Sequence, residues 1–298
     1  MVPDANQAVT VSIDASDPDD IQSLELFYSI NDGAYQTITM TAANEHFTAT
    51  IPGQNSSDIV RFYVQATDNN NAISHYPKGS TTGGAFYKVQ DGLADTSGLR
   101  HNFRIIMAES DRSFLFLNTN RMSNDRFPVT IIENEETVYY NAQLRLKDSA
   151  HGRYQSNGYG FNIRFQPDQL FRGVHQSLSV ERGALARQFL AKSLMNRAGG
   201  GYWSFYDDVA HIITPTVGDR GVALLSLSRH TSSFWDGLFP DSDENGTLFN
   251  LELHYEPTTT TGGPEALKRG NPFSNAAGRY RLETVSYTHL TLPTNREV

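Results

Sequence analysis

Between residues 145 and 164 the chain sets basic side chains on either side of a Gly- and Ser-containing stretch: Arg145 and Lys147 before it, Ser149, Gly158 and Gly160 within it, Arg164 after it. Backbone N–H groups of a Gly-rich turn form an anion-binding concavity. Nearby Lys and Arg add charge-assisted hydrogen bonds to phosphate oxygens. The chemistry these types could do together is phosphate binding. On spacing alone, a surface hairpin with solvated basic side chains is the simpler reading.

The flanking segments must position them. Ala142–Lys147 and Phe161–Phe165 each alternate apolar and polar residues, the period of a half-buried strand, so the stretch predicts a hairpin with Arg153 in its loop. Upstream, Phe103–Met107 predicts a strand and Glu109–Leu117 a short helix capped by Ser110. Val129–Ile132 and Thr137–Tyr140 predict a strand pair. Downstream, Gly183–Ala198 predicts a helix whose apolar positions Leu185, Phe189, Leu190 and Leu194 share one face and face a core, closed by Gly199–Gly201. Tyr206–Ile213 and Gly221–Leu227 predict a further strand pair, Thr231–Phe239 a short helix and Asn245–Phe249 a strand. The Asp207–Asp208 pair opens an apolar strand and reads as a cap or turn, with one carboxylate pointing outward.

The string "LRLKDSAHGRYQSNGYGFNIRF" resembles the strand–loop–strand of the spore-coat protein H (CotH) kinase family, with Arg145 on its first Arg, Ser149 on one of its serines and Arg164-Phe165 on its closing basic–aromatic pair. Lys147-Asp148 stands where the family has Arg-Gly. Phe171-Arg172-Gly173, the 183–198 helix and the 206–227 pair follow in the family's order, and the family's Glu falls on Leu227 or Ser228. The resemblance covers about residues 103–283. It implies an α+β domain like an atypical protein-kinase N-lobe, ATP with Mg2+ or Mn2+ as cofactors, Ser/Thr hydroxyls of surface or coat proteins as acceptors, and Arg145, Lys147, Ser149, Gly158, Gly160 and Arg164 as the nucleotide-binding residues. The family's catalytic and metal-binding Asp residues lie further downstream, so no catalytic residue is named and this stretch by itself is expected to be inactive.

Residues 4–77 read as short alternating strands parted by Asp17-Pro18-Asp19-Asp20, Asn31-Asp32-Gly33 and Asp68–Asn71. They resemble bacterial immunoglobulin- or fibronectin-III-like modules, which implies an all-β sandwich and an exported, extracellular or cell-surface protein. Asp14, Asp17, Asp19, Asp20 and Asp68 could hold Ca2+ at one pole, but solvated turn carboxylates are the simpler reading, and no metal site is assigned. Residues 78–100 are Gly/Ser/Thr-rich and read as a linker, followed by the kinase-like domain at 101–284. Residues 285–298 resemble a translated sequencing adapter and are set aside as an artefact.

The 298 residues carry a formal net charge of −9 with a sequence pI near 5.4, which argues against nucleic acid as partner. The absence of cysteine excludes disulfides and thiolate chemistry. No apolar run reaches the ~20 residues of a membrane span, and no signal peptide is visible. The sequence carries no H-E-x-x-H, G-x-S-x-G, Walker A or G-x-G-x-x-G pattern. A non-catalytic surface or adhesion protein built on a degenerate domain of this kind is the alternative.

Overall fold

The computed structural model describes residues 2–98, 100–117, 120–121, 123–147, 153, 159–181, 185–198, 206–215, 218–227, 248–255 and 278–285, the last two stretches by their backbone. The N-terminal module is two sheets face to face. One pairs β1 (Val9–Asp14), β5 (His46–Ile51) and β4 (Thr41–Ala43). The other orders β3 (Gln36–Thr39), β2 (Ile21–Ile30), β6 (Ile59–Asp68) and β7 (Ile73–Tyr76), with β8 (Phe86–Lys88) also on β6. Alternation decides what is inside. Leu24, Leu26 and Tyr28 of β2 meet Phe47, Ala49 and Ile51 of β5 and Val60, Phe62 and Val64 of β6 in one core. Asn31 and Asp32 turn the chain in the left-handed region at φ 47° and 59°, a conformation Asn and Asp tolerate.

The second module departs from the α+β N-lobe that the resemblance implied. Seven strands close into a barrel in the order β10 (Phe127–Glu133), β11 (Thr137–Leu146), β12 (Phe161–Arg164), β13 (Ser177–Val180), β15 (Gly218–Leu227), β14 (Tyr206–Thr214), β9 (His101–Ile106). Among the described residues two α-helices accompany it, α1 (Glu109–Phe116) and α2 (Leu185–Arg197). Every contact around the ring is antiparallel except the last, where β14 runs parallel to β9 with Ala210 opposite His101 and Ile213 opposite Arg104. That seam joins residues far apart in sequence, and local periodicity carries no signal of it. Alternate residues point inward: Leu144, Leu146, Phe161, Ile163, Leu178, Val180, Ala223 and Leu225 belong to one buried core. The turn after β12 inserts Phe171 among Phe103, Tyr139 and Phe165 and plugs one end.

Two helix expectations need correction. Ser110 does not cap α1: Ala108 occupies the N-cap without a side-chain bond, and the Ser110 N–H donates to Asp32 of the sandwich at 2.8 Å. The apolar stripe of α2 is not core. Leu190 and Leu194 are 59% and 57% exposed and Phe189 is also exposed, while Gln188, Lys192 and Ser193 are half-buried. The barrel wall under α2 is polar, so the helix turns its polar face inward. The helix expected at Thr231–Phe239 lies outside the described residues. The expected strand at Asn245–Phe249 is described from Leu248 as β16 (Leu248–Tyr255), which pairs with β17 (Gly278–Val285) in a separate two-stranded sheet.

The Gly/Ser/Thr-rich stretch contributes β8 and buried Ala85, Phe86, Tyr87 and Val89. Phe86 packs with Ile106, Ala108 and Ile132 of the barrel, and the Gly84 carbonyl accepts the Thr130 hydroxyl at 2.6 Å. Beside this seam Arg104, almost fully buried, donates to Asp91 at 2.7 Å and to both Glu135 oxygens. Among the described residues no helix is long and apolar enough to cross a membrane.

Candidate functional site

The register of the barrel places a row of polar residues across its outer wall. Arg145 on β11 stands opposite Asn162 on β12. Asn162 stands opposite Ser179 on β13, Ser179 opposite Ser226 on β15, and Ser226 opposite Asp207 on β14. Strand alternation fixes this: each of these residues is one position from an inward-facing apolar neighbour. Two residues along on the same outward parity, Lys147 after β11 and Glu181 after β13 lie on one side of this row and Arg164 on β12 on the other, because β12 runs antiparallel to both.

Lys147 Nζ donates to both oxygens of Glu181 at 2.5 Å. Lys192 reaches down from α2 to Asp207 Oδ1 at 2.8 Å and Ser226 Oγ at 2.7 Å. Burial pushes the Glu181 carboxyl up, but Lys147, with help from Ser226 and Lys192, outweighs it and holds the group below the usual carboxylate range. Toward β10 the row ends in guanidinium groups. Arg126 donates to Asn162 Oδ1 at 2.6 Å and to the Gln143 carbonyl at 3.0 Å. Its pKa falls to about 10, through burial first and then through the charges of Arg145 and Arg164. Among the described residues neither Arg126 nor Arg164 has an ion pair. Three guanidinium groups thus share one face.

Of the six residues assigned from the sequence, Arg145, Lys147 and Arg164 fall on this wall. Ser149 and Gly158 lie outside the described residues. Gly160 is buried, and its carbonyl accepts the Lys147 N–H at 2.9 Å, so it extends the β11–β12 ladder. Arg153, expected as a loop cation, is buried and donates to the Ser123 carbonyl at 2.6 Å and to Asn124 Oδ1 at 3.0 Å. Sequence reasoning missed Arg126, Glu181, Lys192 and Ser226. The polar spacing Ser177, Ser179, Glu181 was a readable signal, because polar residues at every second place in a buried strand mark a wall that faces something.

The Asp207–Asp208 pair splits between two sides of the barrel. Asp207 is on the outer wall, whereas Asp208 is at the mouth with His101 (3.2 Å) and Arg172 (2.6 Å). Arg172, left-handed at φ 52°, also binds Glu133 at 2.6 Å and so ties the plug to two strands. In the sandwich, one carboxylate oxygen each of Asp17, Asp19 and Asp68 lie within 4.8 Å of one another. Asp68 accepts the N–H groups of Asn70 and Ala72, and Asp17 that of Asp19, as turn carboxylates do. Asp14 instead binds His46 at 2.7 Å.

No protein-family model matches the chain, and no curated protein matches it either. Among solved structures, a cycloalternan-forming enzyme from Listeria monocytogenes in complex with a pentasaccharide substrate is similar at 10% identity and TM-score 0.23, over 62% of this chain and 15% of that one. A cycloalternan-degrading enzyme from Trueperella pyogenes is similar at 12% identity and TM-score 0.24, over 76% of this chain and 29% of that one. The chain spans less than a third of either neighbour's length. At these scores the likeness decides neither fold nor activity.

Proposed function

We propose that the polar outer wall of the barrel binds a phosphate-bearing ligand, ATP by the resemblance to the CotH kinase family, and that the chain is part of an exported phosphotransferase acting on hydroxyl groups of surface or coat proteins. The observation that carries this is the gathering of Arg126, Arg145, Arg164 and Lys147 on one wall of an otherwise acidic chain. Like-charge repulsion acts among the three guanidinium groups, and a polyphosphate on that wall would relieve it. Arg145 and Arg164 would bind phosphate oxygens, Arg126 would add charge from behind Asn162, and Glu181 fixes where the Lys147 ammonium stands. Mg2+ or Mn2+ arriving with the nucleotide would neutralise phosphate charge. The acids on this wall, Glu181 and Asp207, are already held by Lys147 and Lys192, so the wall does not itself supply free metal-binding carboxylates. Calorimetric titration with ATP and Mg2+ tests the reading: binding that is lost in Arg145→Ala plus Arg164→Ala supports it, and no heat above buffer removes it.

A second reading is favoured by one position. Leu227, one of the two positions on which the resemblance sets a glutamate, is buried in the barrel core, and Ser228, the other, lies outside the described residues. A non-catalytic surface or adhesion protein fits that loss. Binding to polysaccharide or host protein, with no nucleotide binding, would select it.

A further inference from the structure

The sandwich is not close-packed throughout its interior. Val9, Val11 and Ile13 alternate on the inner face of β1 and pack against the sandwich core, yet all three stay only half-buried. A cavity of about 260 Å3 lies between them and Phe62 and Val64 of β6. Protein interiors leave few voids larger than a water molecule, so a gap of this size beside an alternating strand is a departure that packing alone does not explain. A cavity of about 150 Å3 lined by apolar side chains already admits benzene. This one has room for a second fused ring.

Three phenols stand around it, and they come from both modules. Tyr76 ends β7 and is half exposed, Tyr87 comes from β8, and Tyr140 comes from the barrel strand β11. The Phe62 ring lies 6.2 Å from that of Tyr87 and 5.7 Å, edge-on, from that of Tyr140. Gln169 Oε1 accepts the Tyr140 N–H at 2.7 Å and fixes that strand beside the cavity. The pocket is therefore complete only where sandwich and barrel meet, and the junction of two domains is a frequent place for a small-molecule site. Rings already held by their neighbours lose little freedom when a ligand stacks on them.

Two observations decide the chemistry of the ligand. Among the described residues no charged side chain lines the cavity, so an ion would enter it without a counter-charge and at a desolvation cost. The Tyr87 hydroxyl is buried and has no hydrogen-bond partner among the described residues. Buried polar groups are nearly always paired, and an exception asks for a partner. Burial, and then Tyr28 nearby, pushes the pKa of this phenol up, so it stays a neutral donor.

We propose that the cavity binds a neutral, planar, fused-ring aromatic molecule with one hydrogen-bond acceptor, which stacks among Phe62, Tyr76 and Tyr140 and takes its hydrogen bond from Tyr87. The site shares no residue with the polar wall of the barrel and does not depend on the phosphate reading.

Quinoline is the probe, since it is uncharged at neutral pH and carries one ring-nitrogen acceptor. Naphthalene has the same outline without the acceptor, and N-methylquinolinium adds a charge. Titrated calorimetrically into the full chain, quinoline should saturate one site and bind about fivefold more tightly than naphthalene, the worth of one neutral hydrogen bond. Tyr87→Phe keeps the ring and should bring the two probes to equal affinity. In methyl NMR spectra of the parent protein, quinoline should shift Val11 and Val64 and leave Leu225 of the barrel core in place. Absence of saturable quinoline binding overturns the proposal, and so does equal affinity for quinoline and naphthalene in the parent. Tighter binding of N-methylquinolinium overturns it in favour of a cage for cations. Shifts at Leu225 without shifts at Val11 overturn it by taking the ligand out of the sandwich.

Discussion

Lys147 and Glu181 are 34 residues apart in sequence, yet the lysine ammonium bonds both oxygens of the carboxylate at 2.5 Å across the outer wall of the barrel. The pair bridges the end of β11 and the end of β13 over the strand between them. It therefore sets where a positive charge stands two residues along β11 from Arg145, whatever ligand that wall receives.

Glu181 is the more buried partner, so its loss strands a lysine that still reaches water. Glu181→Ala should lower unfolding free energy by about 2 kcal/mol, below the ~3–5 kcal/mol of a fully buried pair. A double-mutant cycle with Lys147→Met in urea unfolding should show coupling of about 1 kcal/mol or more. Additive effects would mean that the contact carries no energy.

Arg104 is a harsher case, because it is nearly fully buried and holds Asp91 and Glu135 together. Arg104→Leu leaves Glu135 without its cation and Asp91 with Lys88 alone at the seam of sandwich and barrel. We expect a loss of about 3–5 kcal/mol and two calorimetric transitions where the parent shows one. A single transition at the parental temperature would contradict this.

The same seam predicts a pH dependence. Burial pushes the Asp91 carboxyl up, but bonds from Arg104 and Lys88 outweigh it and bring the pKa down to about 2. A folded pKa below the unfolded one gives stability that is present above the unfolded value of 3.8 and is lost as pH falls toward 2. The contribution is about 2 kcal/mol at neutral pH. Urea midpoints measured from pH 7 to pH 3 should fall at the acid end, and Asp91→Asn should flatten that part of the curve.

If the wall binds polyphosphate, Arg145→Ala should weaken ATP by about tenfold, the loss of one charge-assisted contact. Raising salt should weaken the parent protein more steeply than the variant. Arg126→Gln, which keeps polar reach to Asn162 and drops the charge, should lie between them. Equal affinity in all three, read by titration, would take the ligand off this wall.

Much of the local structure was legible. The alternation in Leu24–Tyr28, Leu144–Leu146 and Phe161–Ile163 gives strands because one face of each is buried. The closure of the ring was not legible, since Ala210 opposite His101 is a pairing that no local window contains. The direction of α2 was misjudged for a physical reason. An apolar stripe states that a helix face wants cover without naming the cover, and the barrel's polar wall matched Lys192 better than Leu190. Three of the six assigned site residues reached one wall because strand parity put them there. Glu181 and Lys192 come from β13's end and from α2, which spacing within one hairpin could not connect to it.

The parallel seam between β9 and β14 also sets an order on synthesis. The sandwich has its last strand once the ribosome has passed Lys88. The barrel's first strand, by contrast, must wait with one edge open while more than a hundred further residues emerge, because its closing neighbour is β14. Long-range pairing of this sort slows folding and prolongs the exposure of an apolar edge. During that interval the finished sandwich can already cover the outer face of β9, through Phe86 against Ile106 and Asp91 against Arg104, while the edge that β14 will take stays open.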